Sequence, residues 1–350
     1  SIIDRLRENV RLGGGLDAKG FINEEAQNRA FECLETFAQR IRELPDSAVR
    51  IAGTNTLRVA KNAKEFVEKA EEILNHPIEI IAGRVEARLI YLGVAHGLAL
   101  GEGKRLVVDI GGGSTEFIVG YGMNPIRRES LYTGCVSSSR RFFEDGKITR
   151  KAMRAAVLES RLTLLPHARD FKAGRWDEAI GCSGTIKAIG NIVHAEGWCL
   201  DGITYKSLKK LRDALIEQKY TDKLDLAGLS ENRKPVIAGG LAVLLAIFKT
   251  LEIEQMQVSE QSMREGLLYD LVGRITHHDV RDATIESYIT RWGVDLEQAQ
   301  RVTATVERLC NKACEHNTEE VEQVKPLVKW ASMLHEIGLQ VSHCLLYTSP

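Results

Sequence analysis

The sequence predicts an α/β protein of two halves around a cleft, followed by an all-α part. Three observations predict it. Short apolar strands alternate with helical periodicity over roughly the first 275 residues, a glycine turn follows a strand in each half, and strand signals fade from about Val280 onward. In order, Asn23 can cap a helix from Glu24 to Leu44, where Ala30, Leu34, Phe37, Ala38 and Ile41 recur at helical spacing and Pro45 follows the end. Val49 to Ala52 reads as a strand. Asn62 with Glu65 resembles a capping box for a helix to Leu74, and Pro77 leads into a strand from Ile78 to Ile81. Gly83 to Gly93 begins another helix. Leu106 to Val108 is a buried strand, Gly111, Gly112 and Gly113 form a tight turn, and Phe117 to Val119 returns as a second strand. The pattern then repeats with a helix near Arg150 to His167, a strand from Glu178 to Ile180, the turn Gly181-Cys-Ser-Gly-Thr185 and a helix from Ile186. A glycine turn after a strand in each half places a ligand cleft between the halves.

Composition narrows the function classes. The 350 residues suffice for two or three domains, and 44% hydrophobic with 27% charged is ordinary for a globular chain. A formal net charge of -1 excludes a bulk electrostatic trap, so nonspecific nucleic-acid binding is not expected. Any polyanion must be held by a local groove, for which Lys187, Arg264, Arg127, Arg128, Arg140, Arg141, Arg233 and Lys234 are candidates. No membrane span or signal peptide is expected, because Ser1-Ile-Ile-Asp4 is polar and Leu241 to Phe248 is too short an apolar run to cross a bilayer. The seven cysteines are odd in number and scattered, which fits a reducing cytoplasm. Cys310 and Cys314 lie one helical turn apart without the second half of a metal site, and His277-His278-Asp279 reads as an exposed interdomain link.

The most informative segment is Arg105-Leu-Val-Val-Asp-Ile-Gly-Gly-Gly-Ser-Thr-Glu116. Consecutive glycine N–H groups with the Ser114 and Thr115 hydroxyls can converge on a phosphate, while Asp109 and Glu116 carry the hard oxygens that magnesium prefers. The grouping suggests metal-assisted phosphoryl chemistry; a glycine hairpin with two acids is the plainer reading. Ser183, Gly184 and Thr185 open a helix, so their N–H groups can meet a second phosphate at its positive end.

These motifs carry a resemblance. Thr54-Asn-Thr-Leu-Arg58, Gly83-Arg-Val-Glu-Ala-Arg-Leu-Ile90, Asp109 to Glu116, Gly134-Cys-Val136, Ser183-Gly-Thr185, Gly228-Leu-Ser230, Arg264-Glu-Gly266 and Leu334-His-Glu-Ile-Gly338 together resemble the exopolyphosphatase / guanosine pentaphosphate phosphatase (Ppx/GppA) family. The resemblance implies two actin-like halves of the ribonuclease H-like, sugar-kinase and heat-shock-chaperone superfamily, at 1–89 and 90–275, and a truncated helical HD-like domain at 276–350. Gly111-Gly-Gly113 is similar to the exopolyphosphatase branch.

The implied reaction is magnesium-assisted attack of water on a terminal phosphoanhydride of inorganic polyphosphate, releasing orthophosphate. Guanosine pentaphosphate hydrolysis, or a noncatalytic sensor of either ligand, is the alternative. The resemblance makes Glu86 the catalytic base, Glu116 a second catalytic acid and metal ligand, and Asp109 a metal-side carboxylate. Arg58, the two glycine turns, Lys187 and Arg264 would hold phosphate, Arg58 through forked hydrogen bonds. Each also has an ordinary reading. An acid at Glu86 suits a helix first turn, Asp109 a strand end, and Arg58 the surface.

The resemblance further implies a homodimer in the cytoplasm, at most peripheral to the inner membrane. Three departures imply a chain truncated at both ends and altered near its cleft. The family's opening strand and phosphate loop are not found ahead of Ser1-Ile-Ile-Asp4, the resemblance fades after Ser342-His343, and Gln261 stands where a glycine is customary. Glu336 likewise replaces the Asp of an HD motif, so no second metal site is expected there.

Overall fold

The computed structural model describes residues 6, 8, 10–17, 19–98, 103–275, 285, 288–289, 292–313 and 318–337. They belong to two compact units, residues 1–271 and 272–350.

The first unit opens with a small lobe. Its helix α1 (Glu24–Ile41) is capped by Asn23, whose side chain accepts the Ala26 N–H. The helix ends three residues short of the expected Leu44, because Leu44 precedes Pro45 and that position disfavours helical backbone. Strand β1 (Ile51–Gly53) leads into a short helix α2 (Asn55–Val59), then α3 (Ala63–Leu74) and β2 (Ile78–Ile80), which pairs parallel with β1. Asn62 does not cap α3. Its amide oxygen instead accepts the Ile22 N–H at 2.9 Å and its nitrogen donates to the Ile22 carbonyl at 3.0 Å, tying two loops together. Ile22, Ala26, Ala30, Phe66 and Ala70 form the lobe's core, with Phe31 stacked on Phe66 at 5.0 Å.

Helix α4 (Gly83–Gly97) then crosses to the main sheet. That sheet contains β3 (Lys104–Ile110), β4 (Thr115–Tyr121), β5 (Asn124–Leu131), β6 (Glu178–Cys182), β7 (Ile203–Thr204) and β8 (Gln255–Val258), in the order β5-β4-β3-β6-β8-β7. β3, β6 and β8 run parallel, and the outer strands pair antiparallel. Strand alternation sorts side chains to two faces. Leu106, Val108 and Ile110 enter the main core, whereas Val107 joins Ala87, Ile90, Tyr91 and Val94 of α4 on the other face.

On the main-core side lie α5 (Cys135–Phe142), α6 (Arg150–Leu164), α7 (Ala168–Phe171), α8 (Ser183–Ala195), α9 (Tyr205–Gln218) and α10 (Lys234–Leu251). The extended helix Glu231–Leu251 is long and apolar enough to cross a membrane, but here it is the buried centre of the unit, packed by α5, α6 and α9. Helix α11 (Met263–Ile275) begins against α4. A Cβ on Gly93 would overlap the Ser262 carbonyl, and one on Gly266 the Leu89 carbonyl, so the two backbones touch directly. This explains the glycine of Arg264-Glu-Gly266 as packing. Gln261 does not adopt the left-handed backbone that its position suggested.

The second unit packs α12 (Leu296–Ala313) against α13 (Thr318–Met333), burying Ala299 and Trp330. His335 Nδ1 lies 2.7 Å from the Ser332 carbonyl, and no metal set forms among the described residues. His277-His278-Asp279, Cys314, Gly338 and the segment 344–350 lie outside the described residues.

Candidate active site

The β3–β4 hairpin brings the acids together. Its register pairs Asp109 with Glu116 and Ile110 with Thr115, leaving Gly111 to Ser114 as the connecting turn. The Gly111 N–H donates to the Ser114 carbonyl at 2.9 Å. None of the three glycines has positive φ, so the turn does not need their left-handed freedom. It needs their lack of bulk. A Cβ on Gly113 would lie 2.6 Å from Asn55 Nδ2, and a Cβ on Gly134 would lie 2.5 Å from the Gly112 carbonyl oxygen. That closeness lets α5 dock on the turn, with the Cys135 N–H donating to Gly111 at 2.9 Å and the Val136 N–H to Gly112 at 2.8 Å. The turn carbonyls are thereby engaged. Among the described residues the N–H groups of Gly112 and Gly113 make no internal hydrogen bond, which suits them to an anion.

The second turn differs from expectation. β6 continues through Cys182 and α8 begins at Ser183, three residues before Ile186. Ser183 holds φ 76°, a strained value for a residue with a side chain, and its hydroxyl donates to the Ile110 carbonyl at 2.9 Å. A Cβ on Gly184 would overlap the Arg233 guanidinium, so only glycine lets that cation lie over the start of α8.

Three carboxylates converge beneath these turns. Glu86, in the first turn of α4, is 8% exposed and accepts Arg58 Nη1 at 2.7 Å; the same nitrogen donates to the Ile81 carbonyl at 2.9 Å. Glu116 is 1% exposed and accepts the Ser130 hydroxyl at 2.8 Å. Asp109 accepts the Ser262 hydroxyl at 2.7 Å and the Cys182 thiol at 3.3 Å. Burial raises the pKa of all three. For Glu116, desolvation and then the negative charges of Glu86 and Asp109 push it up to about 8. Arg58 opposes the rise at Glu86, and the hydrogen bonds from Ser262, Cys182 and Ser183, with the charge of Lys187, oppose it at Asp109. Glu86 and Glu116 therefore share one electrostatic site.

A cleft of about 890 Å³ opens above them. Glu86, Gly111, Gly112, Gly113, Ser114, Ser183, Gly184 and Thr185 line it, as the sequence anticipated, while Asp109 and Glu116 are buried at the turn end of the β3–β4 hairpin next to these lining residues and do not themselves line it. Four expected phosphate ligands are placed otherwise. The Thr115 hydroxyl donates to the Thr133 carbonyl at 2.6 Å, because its strand position turns it inward. Arg58 is engaged by Glu86 and orients it. Lys187 pairs with Glu260 at 3.0 Å, and Arg264 is exposed on α11, so neither lines the cleft.

Of the broader basic set, Arg140 and Arg233 line the cleft, whereas Arg141 pairs with Glu159, Lys234 with Glu231, and Arg127 lies elsewhere. Sequence reasoning missed Asn55 and Arg11, which also line it, and Ser130 and Ser262, which hold the acids. Asn55 sits inside the quoted Thr54 to Arg58 motif; the other three carry no local signal.

Magnesium fits this donor set by chemistry. Buried carboxylates crowded enough to raise one another's pKa are relieved by a divalent cation, and magnesium takes one or two carboxylates with the rest of its shell from water and phosphate. Among the described residues no three His, Cys, Asp or Glu side chains form a metal cage on their own.

The mixed sheet, the bare glycine turn and the buried acids describe an α/β protein with a site suited to phosphoryl chemistry. The sequence pattern described as the Ppx/GppA phosphatase family matches residues 1–275, and that of Ppx/GppA phosphatase, domain III, matches 280–346. The chain belongs to the Ppx/GppA phosphatase family, whose enzymes hydrolyse phosphoanhydride bonds.

The guanosine-5'-triphosphate,3'-diphosphate pyrophosphatase of Pseudoalteromonas translucida (strain TAC 125) is 39% identical over 342 residues, covering 97% of this chain and 68% of that protein. Its namesake from Aliivibrio fischeri (strain MJ11) is 38% identical over 339 residues, covering 97% and 68%. Among solved structures, an exopolyphosphatase from Cytophaga hutchinsonii ATCC 33406 aligns with a TM-score of 0.66 at 27% identity, covering 75% of this chain and 88% of that one. An exopolyphosphatase-like protein aligns at 0.69 with 24% identity, covering 78% and 92%, and supports the fold alone. The chain spans about two thirds of the length of these curated relatives, 68% in each case.

Proposed function

We propose that this chain hydrolyses the terminal phosphoanhydride of guanosine pentaphosphate, releasing orthophosphate and leaving a diphosphate at the 5' position. The observation that carries the reading is the buried Glu86 and Glu116 pair beside the free N–H groups of Gly112 and Gly113. The terminal phosphate would lie on those N–H groups, with the start of α8 and Arg233 receiving the next phosphate. Glu86 takes a proton from the attacking water, whose oxygen bonds to the terminal phosphorus as the bridging P–O bond breaks. Arg58 aims Glu86 and favours its ionised form against the rise that burial imposes. Asp109 and Glu116 would hold magnesium, which when bound supplies charge neutralisation at the phosphates.

The choice of nucleotide over polymer is supported by the names of the curated relatives. Gly113, similar to the exopolyphosphatase branch, is accounted for by its contact with Asn55 and does not decide substrate. Inorganic polyphosphate is the second reading, supported by the Cytophaga structure. Phosphate release from each substrate, with Glu86→Gln as control, tests the proposal. A rate on polyphosphate above that on guanosine pentaphosphate reverses the order, and no loss in the variant rejects the site. The proposal includes a cytoplasmic homodimer, which light scattering checks for assembly.

A further inference from the structure

The molecule has a second concave region, far from the cleft. A groove of about 520 Å³ is formed where Lys104 opens β3, Arg127 of β5 pairs with Val119 beside the β4 bulge, and Arg169 and Arg175 lie in and after α7. It lies at the end of β3 opposite the glycine turn, six residues away along the strand, which at the usual rise is about 20 Å. Four cationic side chains face one carboxylate, Asp170. Among the described residues none of the four lies within ion-pair distance of a carboxylate, although neighbouring bases are paired, Lys172 with Glu252 and Arg105 with Glu178. Like charges held together without counterions repel, and an anion relieves that cost. Buried Val119 and exposed Ile126 and Pro166 complete its lining. Three guanidinium forks match phosphate oxygens better than single-point anions do.

We propose that this groove is a second, noncatalytic binding site for an anion carrying adjacent phosphates. Its chemistry is met either by an inorganic phosphate oligomer or by the diphosphate end of a nucleotide. Isothermal titration of the full chain with tripolyphosphate, in low salt with a chelator, tests it against an Arg127→Gln/Arg169→Gln variant. Both arginines are exposed, and circular dichroism, with Arg175→Gln as a milder second variant, guards against misfolding.

The expected result is binding in the parent that weakens at least tenfold in the double variant and less in Arg175→Gln. Undiminished binding in the double variant, or no binding in the parent, overturns the proposal. Two sites in the parent falling to one supports groove and cleft together. One site that the variant abolishes supports the groove and counts against the cleft. Titration with GDP separates the two ligand sources, and equal binding of citrate overturns the preference for phosphate.

Discussion

Glu116 ties the chemistry of the cleft to folding stability. Folded, it keeps its proton up to about 8, whereas an unfolded glutamate releases it near its ordinary value of 4.5. The folded chain therefore binds the extra proton between these values, and the stability it contributes is complete below about 4.5 and lost as pH rises through about 8. The melting temperature of metal-free protein should fall by several degrees across that window, and Glu116→Gln should flatten the slope in a calorimetric pH series. Glu86→Gln should cost activity by about 10²- to 10⁴-fold while shifting melting little, since an amide oxygen still accepts Arg58. Steady-state phosphate release and a thermal melt on one sample check both halves of that statement. Glu86, Glu116 and the glycines were legible because local motifs carry them. Arg58 was legible as important but not as the partner of Glu86, which lies 28 residues away in sequence. Lys187 and Arg264 stand outside the cleft lining; charge alone does not say which way a side chain points.

At the level of elements, two glycines make separable predictions. Gly113→Ala drives a methyl into Asn55 and should cost about 1–3 kcal/mol, with reduced turnover. Adding Asn55→Ala should restore stability, so the pair should be strongly nonadditive in a double-mutant cycle read by denaturant unfolding. Gly266→Ala has no such rescue, because its methyl would meet backbone, and it should destabilise by more than 3 kcal/mol in the same measurement. The strand and helix order through β4, apart from the short α2, was readable from period and from the Asn23 cap. β5 was not, because Pro125, Arg127, Arg128 and Glu129 make an edge strand look like a solvated loop. The start of α8 was displaced for a related reason: Ser183 takes a backbone conformation that its residue type does not advertise.

Across the first unit as a whole, Asp270 of α11 joins two lobes by accepting Arg50 from the strand-bearing small lobe and Arg88 from α4 at 2.7 Å. Asp270 and Arg50 are both largely buried. Removing the acid in Asp270→Ala leaves Arg50 held by Glu79 and takes this carboxylate from Arg88, which should cost about 3 kcal/mol and lower the melting temperature by several degrees. Asp270→Asn should lose less. The α/β character of the molecule and its helical rear were legible, since both follow from local pattern. The order β5-β4-β3-β6-β8-β7 and the Arg50–Asp270–Arg88 clasp were not, since each depends on partners far apart in sequence.

Where Gly93 and Gly266 meet, α4 and α11 have no cushion between them. Glu86, in the first turn of α4, therefore stands on a helix that cannot move closer to α11 at Gly93 without backbone overlap.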